Sequence, residues 1–356
     1  RGGAPGAHQN TAWHHSRMHR NADALKYLAP NWFAVVMGLA GLSLAWGRAA
    51  PLMGEMAGAG ALVVAAAAAL AFVALAVLSA LRWQHHAGAL ADDLRHPVRH
   101  AFVAAVPISL LLLATAAVSL VGAEPWVAAL WWVGSLLQFG VTLWVMGRWL
   151  SADKSRGLGW PAVTPALLLP VVGNVLAPLA GVTLDAPAWS AAQFGVGVLL
   201  WPLVLGLLIA RIAVQGLWAE RLLPLTFITV APPAVIGSSA LALGASTQLA
   251  WMCWGVALFF LLWSGHLVRR MLAQPFSIAF WSLGFPLAAF ATLTLRLAMQ
   301  YPGAQLLGVM ALALTSVITV LLGIATWKGL REGALLQAEP VAIVAVPGSL
   351  QPPGPV

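Results

Sequence analysis

Long apolar runs alternate with short polar joints along almost the whole chain. Ten runs stand out, at residues 28–46, 56–82, 100–121, 126–147, 163–182, 188–210, 223–244, 248–268, 276–298 and 303–327. Each is long enough for a helix to cross a bilayer. The second is almost pure Ala, Val and Leu, while the others carry more Gly, Pro, Trp and Ser. The pattern predicts an all-α integral membrane protein with ten transmembrane helices.

Charge in the joints orients those helices. If the runs alternate in direction, all but two of the 18 Lys and Arg residues fall on one side, the exceptions being Arg48 and Arg296. Positive charge stays cytoplasmic, so both termini are expected inside a plasma or inner membrane. Residues 1–27 read as a cytoplasmic, disordered segment without a signal peptide. Residues 28–328 read as the membrane domain and 329–356 as a Pro-rich cytoplasmic tail.

Proline follows a second alternation. Pro30, Pro107, Pro170 with Pro178, Pro232 with Pro233, and Pro286 lie in or near the odd runs, whereas among the even runs only the sixth has one, Pro202. A proline inside a helix removes a donor and pushes on the preceding turn. In hydrocarbon the freed groups need protein or a water-filled cavity around them. Five helical hairpins with odd helices inside and even helices outside satisfy that need. The loose hairpin period reads as a degenerate internal repeat.

Residues 276–298 concentrate the signal, with Gly284, Phe285 and Pro286 together at mid-run. A kink is expected at Gly284–Pro286 and another at Pro170. A phenylalanine at such a bend reads either as packing or as a gate. Asn174, a polar amide deep in the fifth run, reads equally as an interhelical hydrogen bonder and as a pore-facing group.

Composition narrows the functions. The chain is 61% hydrophobic and 8% charged, with mean hydropathy +0.89, far from a soluble domain. Its net charge of +8 is spread singly and in pairs between apolar runs, which excludes nucleic acid as the partner. One cysteine, Cys253, forms neither a disulfide framework nor a metal cluster. His96 and His100 have a spacing that can bring two imidazoles to one helical face, although interfacial histidines are the plainer reading. No metal, cofactor or enzymatic motif is expected. The 18 tryptophans mostly read as interfacial anchors. All ten acidic residues lie in joints, tails or run edges. The membrane interior thus offers no carboxylate for proton or cation coupling, and an uncharged lining suits weakly bound anions.

Several stretches resemble the tellurite-resistance/dicarboxylate-transporter family, which includes bacterial TehA and the slow-type anion channel of plant guard cells. They are LAPNWFAVVMGLAGLSLAW (28–46), HPVRHAFVAAVPISLLL (96–112), PVVGNVLAPLAG (170–181), LLPLTFITVAPPAV (222–235) and FSIAFWSLGFPLAAFA (276–291). They touch every odd run in order. The resemblance implies five quasi-symmetric hairpins, a central pore lined by odd helices, and a homotrimer with one pore per subunit. By position it makes Phe285 the occluding residue. Phe33, Ala34, Met37, Pro107, Asn174 and Pro232 become the expected pore-lining positions. Ala34 departs from the glycine of TehA-type proteins, and its methyl is expected to narrow the pore or hold Phe285 shut.

The expected function is a gated channel or transporter for small anions such as chloride, nitrate or malate. A proton-coupled C4-dicarboxylate carrier or a tellurite-resistance exporter is the alternative, and an integral membrane enzyme is not expected.

Overall fold

The computed structural model describes residues 24–151 and 158–337. The expected N-terminal segment, to residue 23, and the tail, from residue 338, lie outside the described residues, as does most of the fourth joint. Among the described residues every element is helical.

Among the same residues nine helices are long and apolar enough to span a membrane: α1 (Pro30–Met53), α2 (Glu55–His85), α3 (Arg99–Val121), α4 (Pro125–Trp149), α6 (Pro187–Gln215), α7 (Glu220–Ala242), α8 (Thr247–Gly265), α9 (Ile278–Ala298) and α10 (Pro302–Arg331). The remaining run forms a shorter apolar pass, α5 (Pro165–Gly181). A turn at Leu176 and Ala177 divides it into helical pieces Leu169–Val175 and Pro178–Gly181. The single fifth helix expected over 163–182 is therefore interrupted, because Pro178 cannot donate to the preceding turn.

Burial separates odd from even. The most apolar windows of α1, α3, α7 and α9 are 61%, 72%, 89% and 78% buried, against 17–33% for the five even helices. Every residue of α5 is buried except Leu179, which is half-buried. Each odd helix packs against the even helix that follows it, and the odd helices touch in the order α1, α3, α5, α7, α9 and back to α1. The odd helices are the interior ring, and the even ones carry the exposed apolar side chains, such as Leu62, Leu199 and Leu314.

Each odd helix changes type along its length. Its first stretch is 3₁₀, over Pro30–Phe33, Arg99–Ala104, Pro165–Leu168, Glu220–Val230 and Ile278–Leu283. It continues as α-helix from Ala34, Ala105, Leu169, Ala231 and Gly284. In four of the five the proline follows within two residues of the switch: Pro107, Pro170, Pro232 and Pro286. Proline suits the first turn of an α-helix, where its missing donor costs little. The bend expected at Gly284–Pro286 and Pro170 thus takes the form of a change of helix type.

Side chains donate to carbonyls along these broken helices. The Pro170 carbonyl accepts from Gln138 Nε2 (3.0 Å), Thr142 Oγ1 (2.9 Å) and Asn174 Nδ2 (2.7 Å). The Val175 carbonyl accepts from Ser239 Oγ (2.6 Å), and that of Ala177 from Trp131 Nε1 (3.2 Å). Thr226 and Thr229 bond back to the carbonyls three residues earlier, at 2.8 and 2.7 Å, within the long 3₁₀ start of α7. Gly173 lets Gln138 reach this cluster, since a Cβ at position 173 would overlap the Gln138 amide.

Gly173→Ala should therefore lower stability by about 1–3 kcal/mol through overpacking, whereas Gly255→Ala, with nothing within 4 Å of the added methyl, should be close to neutral. Thermal unfolding of both variants in one detergent checks this; equal midpoints would contradict it.

Candidate functional site: a conduit through the ring of odd helices

Four cavities follow one another along the axis of the ring. A proximal vestibule of about 440 Å³ lies at the N-terminal ends of α1, α3, α7 and α9, with Asn31, Arg99, Arg221, Phe276 and Ser277 in its wall. Next comes a proximal cavity of about 20 Å³ lined by Ala34, Met37, Phe102, Ala105, Leu169, Val172, Ile228, Ala231, Trp281, Ser282, Phe285 and Pro286. A distal cavity of about 20 Å³ follows, lined by Gly41, Leu44, Leu112, Leu176, Leu179, Val235, Ser238, Phe285, Ala289 and Thr292. Beyond it a distal vestibule of about 310 Å³ opens among the C-terminal regions of α1, α7 and α9.

Both small cavities take wall residues from all five odd helices, and Phe285 is the one residue that borders both. Each has room for about one water molecule. Neither is lined by an ionisable side chain; Ser282, Ser238 and Thr292 are the polar members. A charged solute meets only weak dipoles there, so it is neither held tightly nor offered a proton relay. Four of the odd helices, α1, α3, α7 and α9, begin at the proximal vestibule. Their partial positive ends and the arginines in its wall give that mouth an attraction for anions.

Phe285 is 4% exposed. Its ring fits against α1 because residue 41 is glycine: a Cβ there would come within 3.1 Å of Phe285 Cδ2. Gly38 makes the same allowance a turn earlier, where a Cβ would come within 3.0 Å of the Trp281 indole. Trp281 donates from Nε1 to Thr326 Oγ1 of α10 at 2.8 Å.

The expected positions divide into two groups. Ala34, Met37, Phe285 and Pro286 border the proximal cavity together. Gly284 is buried against Gly38 of α1. Phe33 meets Phe72 of α2 edge-on, with ring centroids 5.7 Å apart. Pro107 and Pro232 are buried in the walls of α3 and α7 but border neither small cavity. Asn174, expected as pore-lining, turns toward the outer helices instead. Its Nδ2 donates to Thr142 Oγ1 of α4 (2.7 Å), and its Oδ1 accepts from Gln193 Nε2 of α6 (3.2 Å). An amide can satisfy donor and acceptor there, whereas the conduit wall has almost no polar partners.

Sequence reasoning passed over Trp281, Phe102, Ile228 and Gly41. Trp281 stood among the tryptophans read as interfacial anchors, yet it is 2% exposed. Its signal was present: it precedes Phe285 by four residues on the same helix.

The histidine pair has a structural role. His96 Nδ1 accepts from the backbone N–H of Val98 and of Arg99, at 3.1 and 3.2 Å, and so supports the turn into α3. His100 has one ring nitrogen on the His96 carbonyl (3.0 Å) and accepts at Nε2 from Trp149 Nε1 (2.9 Å). Among the described residues no His, Cys, Asp and Glu are grouped to hold a metal ion. Nearby, a short helix, Ala87–Arg95, buries Asp93 between Arg82 (2.7 Å) and Arg99 (3.0 Å). This triad fixes the joint that brings Arg99 to the proximal vestibule.

Asp93→Asn should cost about 3–5 kcal/mol, because it leaves Arg82 buried without its counter-charge. The control is Glu332→Gln, which breaks only an exposed pair with Lys328 worth about 0–1 kcal/mol. A drop in thermal midpoint no larger than the control's would contradict the assignment.

Comparison with known proteins bears on this conduit. Residues 27–327 match the family SLAC1, described as voltage-dependent anion channel. The chain is 25% identical over 299 residues to an uncharacterized transporter of Methanocaldococcus jannaschii, covering 75% of this chain and 83% of the relative. It is 26% identical over 278 residues to the Tellurite resistance protein TehA homolog of Haemophilus influenzae, covering 74% and 79%. It is also 25% identical over 241 residues to the S-type anion channel SLAH2 of Arabidopsis thaliana, covering 66% of this chain and 46% of the plant protein.

Proposed function

The chain belongs to the SLAC1 family of voltage-dependent anion channels, whose members are channels and transporters and not enzymes, and on that premise we propose a gated anion channel closed by Phe285. Anion transport across a membrane is the family's activity. The anions moved here are small inorganic ions or organic acid anions of the chloride, nitrate and malate kind.

One observation carries the gate. Phe285 separates two cavities of about 20 Å³ that are otherwise walled by the same five helices. With the ring in this position nothing larger than a water molecule has room on either side. Rotation of the ring about its side-chain bonds joins the two cavities and opens the path. Ala34 keeps a methyl in the wall of the proximal cavity, and it narrows the space into which the ring swings. Gly284 and the change of helix type beside it are the points at which α9 yields.

Direction follows from charge. Arg82, Arg95, Arg99, Arg148, Arg221, Arg269 and Arg270 lie toward the proximal end, together with Lys26 and Lys328. By the positive-inside rule that end is cytoplasmic, as are both termini, in a plasma or inner membrane. The even helices expose apolar side chains all around the bundle, to lipid and to neighbouring copies in a homotrimer with one pore per subunit.

Phe285→Ala should raise anion current at least tenfold, which corresponds to a barrier lower by about 1.4 kcal/mol. Planar bilayers with purified protein, at matched protein density, give the measurement. Unchanged current in a well-folded variant would refute the gate. Malate uptake that follows a pH gradient, with no current in either protein, would replace the channel by the proton-coupled carrier.

A further inference from the structure

Arg48 and Arg296, the two basic residues on the distal side among the described residues, have no role in the closure described above. Each lies within a membrane-spanning helix, α1 and α9 respectively, where an ionisable group is expensive unless it meets a cavity or a partner. Both line the distal vestibule of about 310 Å³. Arg296 donates from Nη1 to the Ser238 carbonyl of α7 at 2.8 Å. That bond anchors one of its five N–H groups and sets the guanidinium across the mouth from α1. Arg48 is exposed in the vestibule and has neither a hydrogen bond nor an ion pair with a described residue. It also borders a second cavity of about 290 Å³ between α1, α2 and α3.

The acidic residues nearest this end, Glu55, Glu124 and Asp185, are absent from the vestibule wall. A cation in the last turn of a helix offsets the helix dipole, and that accounts for Arg296. It does not account for Arg48, which stands before the end of α1 and shares one cavity with a second guanidinium. Two like charges converging without a carboxylate repel one another, and an anion between them removes the penalty. A guanidinium presents its donors as a planar fork matched to planar oxyanions and not to spherical halides. Gln300 adds an amide to the same wall.

We infer that Arg48 and Arg296 form an anion-binding site at the distal mouth, selective for planar oxyanions (a carboxylate or nitrate) over chloride. Its contribution to transport rests on the conduit being the anion path, whereas binding does not. The site lies outside the constriction, so it loads or unloads the path from one side only. It supplies at the distal mouth the positive potential that the helix starts and Arg99 supply at the proximal one.

The test is thermal unfolding of the full chain in lipid nanodiscs, with chloride replaced stepwise by nitrate or by acetate at constant ionic strength. A ligand that binds the folded state raises the midpoint saturably. The parent should respond to nitrate and to acetate more than to chloride. Arg48→Gln with Arg296→Gln should need roughly tenfold or more anion for the same response, the loss of a charge-assisted contact. Identical responses in parent and double variant would overturn the site. If the double variant does not fold, Arg48→Lys keeps the charge without the fork. It should retain a chloride response and lose the preference for oxyanions; an unchanged preference would overturn the proposal. A parent that binds oxyanions while Phe285→Ala carries no current leaves this site standing and removes the channel.

Discussion

Backbone polar groups in the middle of a bilayer have no water to turn to, and this constraint organises the molecule. Helices that change type or break at mid-membrane survive only where other protein groups surround them. The five odd helices each switch from 3₁₀ to α, and α5 is interrupted outright. All five are interior, and the even helices, of which only α10 has a short 3₁₀ start at Pro302–Ala304, cover them. The conduit is a consequence: five bent helices do not close on one another as straight rods do, and the residual space along their shared axis is the string of cavities that Phe285 divides.

The supports for this arrangement are polar and lie behind the ring, away from the conduit. Gln138, Thr142, Asn174, Gln193 and Ser135 form one connected set between α4, α5 and α6, and Trp189 donates to Ser135 Oγ at 2.8 Å. Such a set is favourable in hydrocarbon only when its members find partners, which ties α5 to both outer neighbours at once. The front of the same helices is nearly apolar. On α5 the polar supports and the side toward the cavities are thereby separate faces of one helix. In the proposed channel those hydrogen bonds do not compete for a passing ion.

Electrostatics is arranged at the two ends. The Arg82–Asp93–Arg99 triad leaves its excess positive charge at the proximal vestibule, where α1, α3, α7 and α9 also begin. At the distal end the helix dipoles run the other way, and Arg48 and Arg296 are the local correction. Between the mouths lies a short stretch without charge, lined almost wholly by apolar side chains.

Much of this was legible in the chain. Apolar run length identified the membrane class, and the odd-run prolines identified the inner helices before any packing was known. The stretch around Gly284, Phe285 and Pro286 was singled out by its own composition. What the sequence did not decide is which side of an inner helix faces the axis. A 3₁₀ segment turns 120° per residue and an α-helix 100°. The six residues of Ile278–Leu283 therefore rotate the face by about 120° from an α-helical projection. For Asn174, on α5, spacing alone leaves that choice open, and grouping Trp281 with the other tryptophans hid its place on the cavity wall. The pairing of His100 with Trp149, and the meeting of Arg48 with Arg296, join residues 49 and 248 positions apart. The α3–α4 hairpin brings the first pair together, and only the closing of the ring between α9 and α1 brings the second. Chain composition determined that a broken-helix bundle must form, and tertiary packing alone decided which side chains its axis would meet.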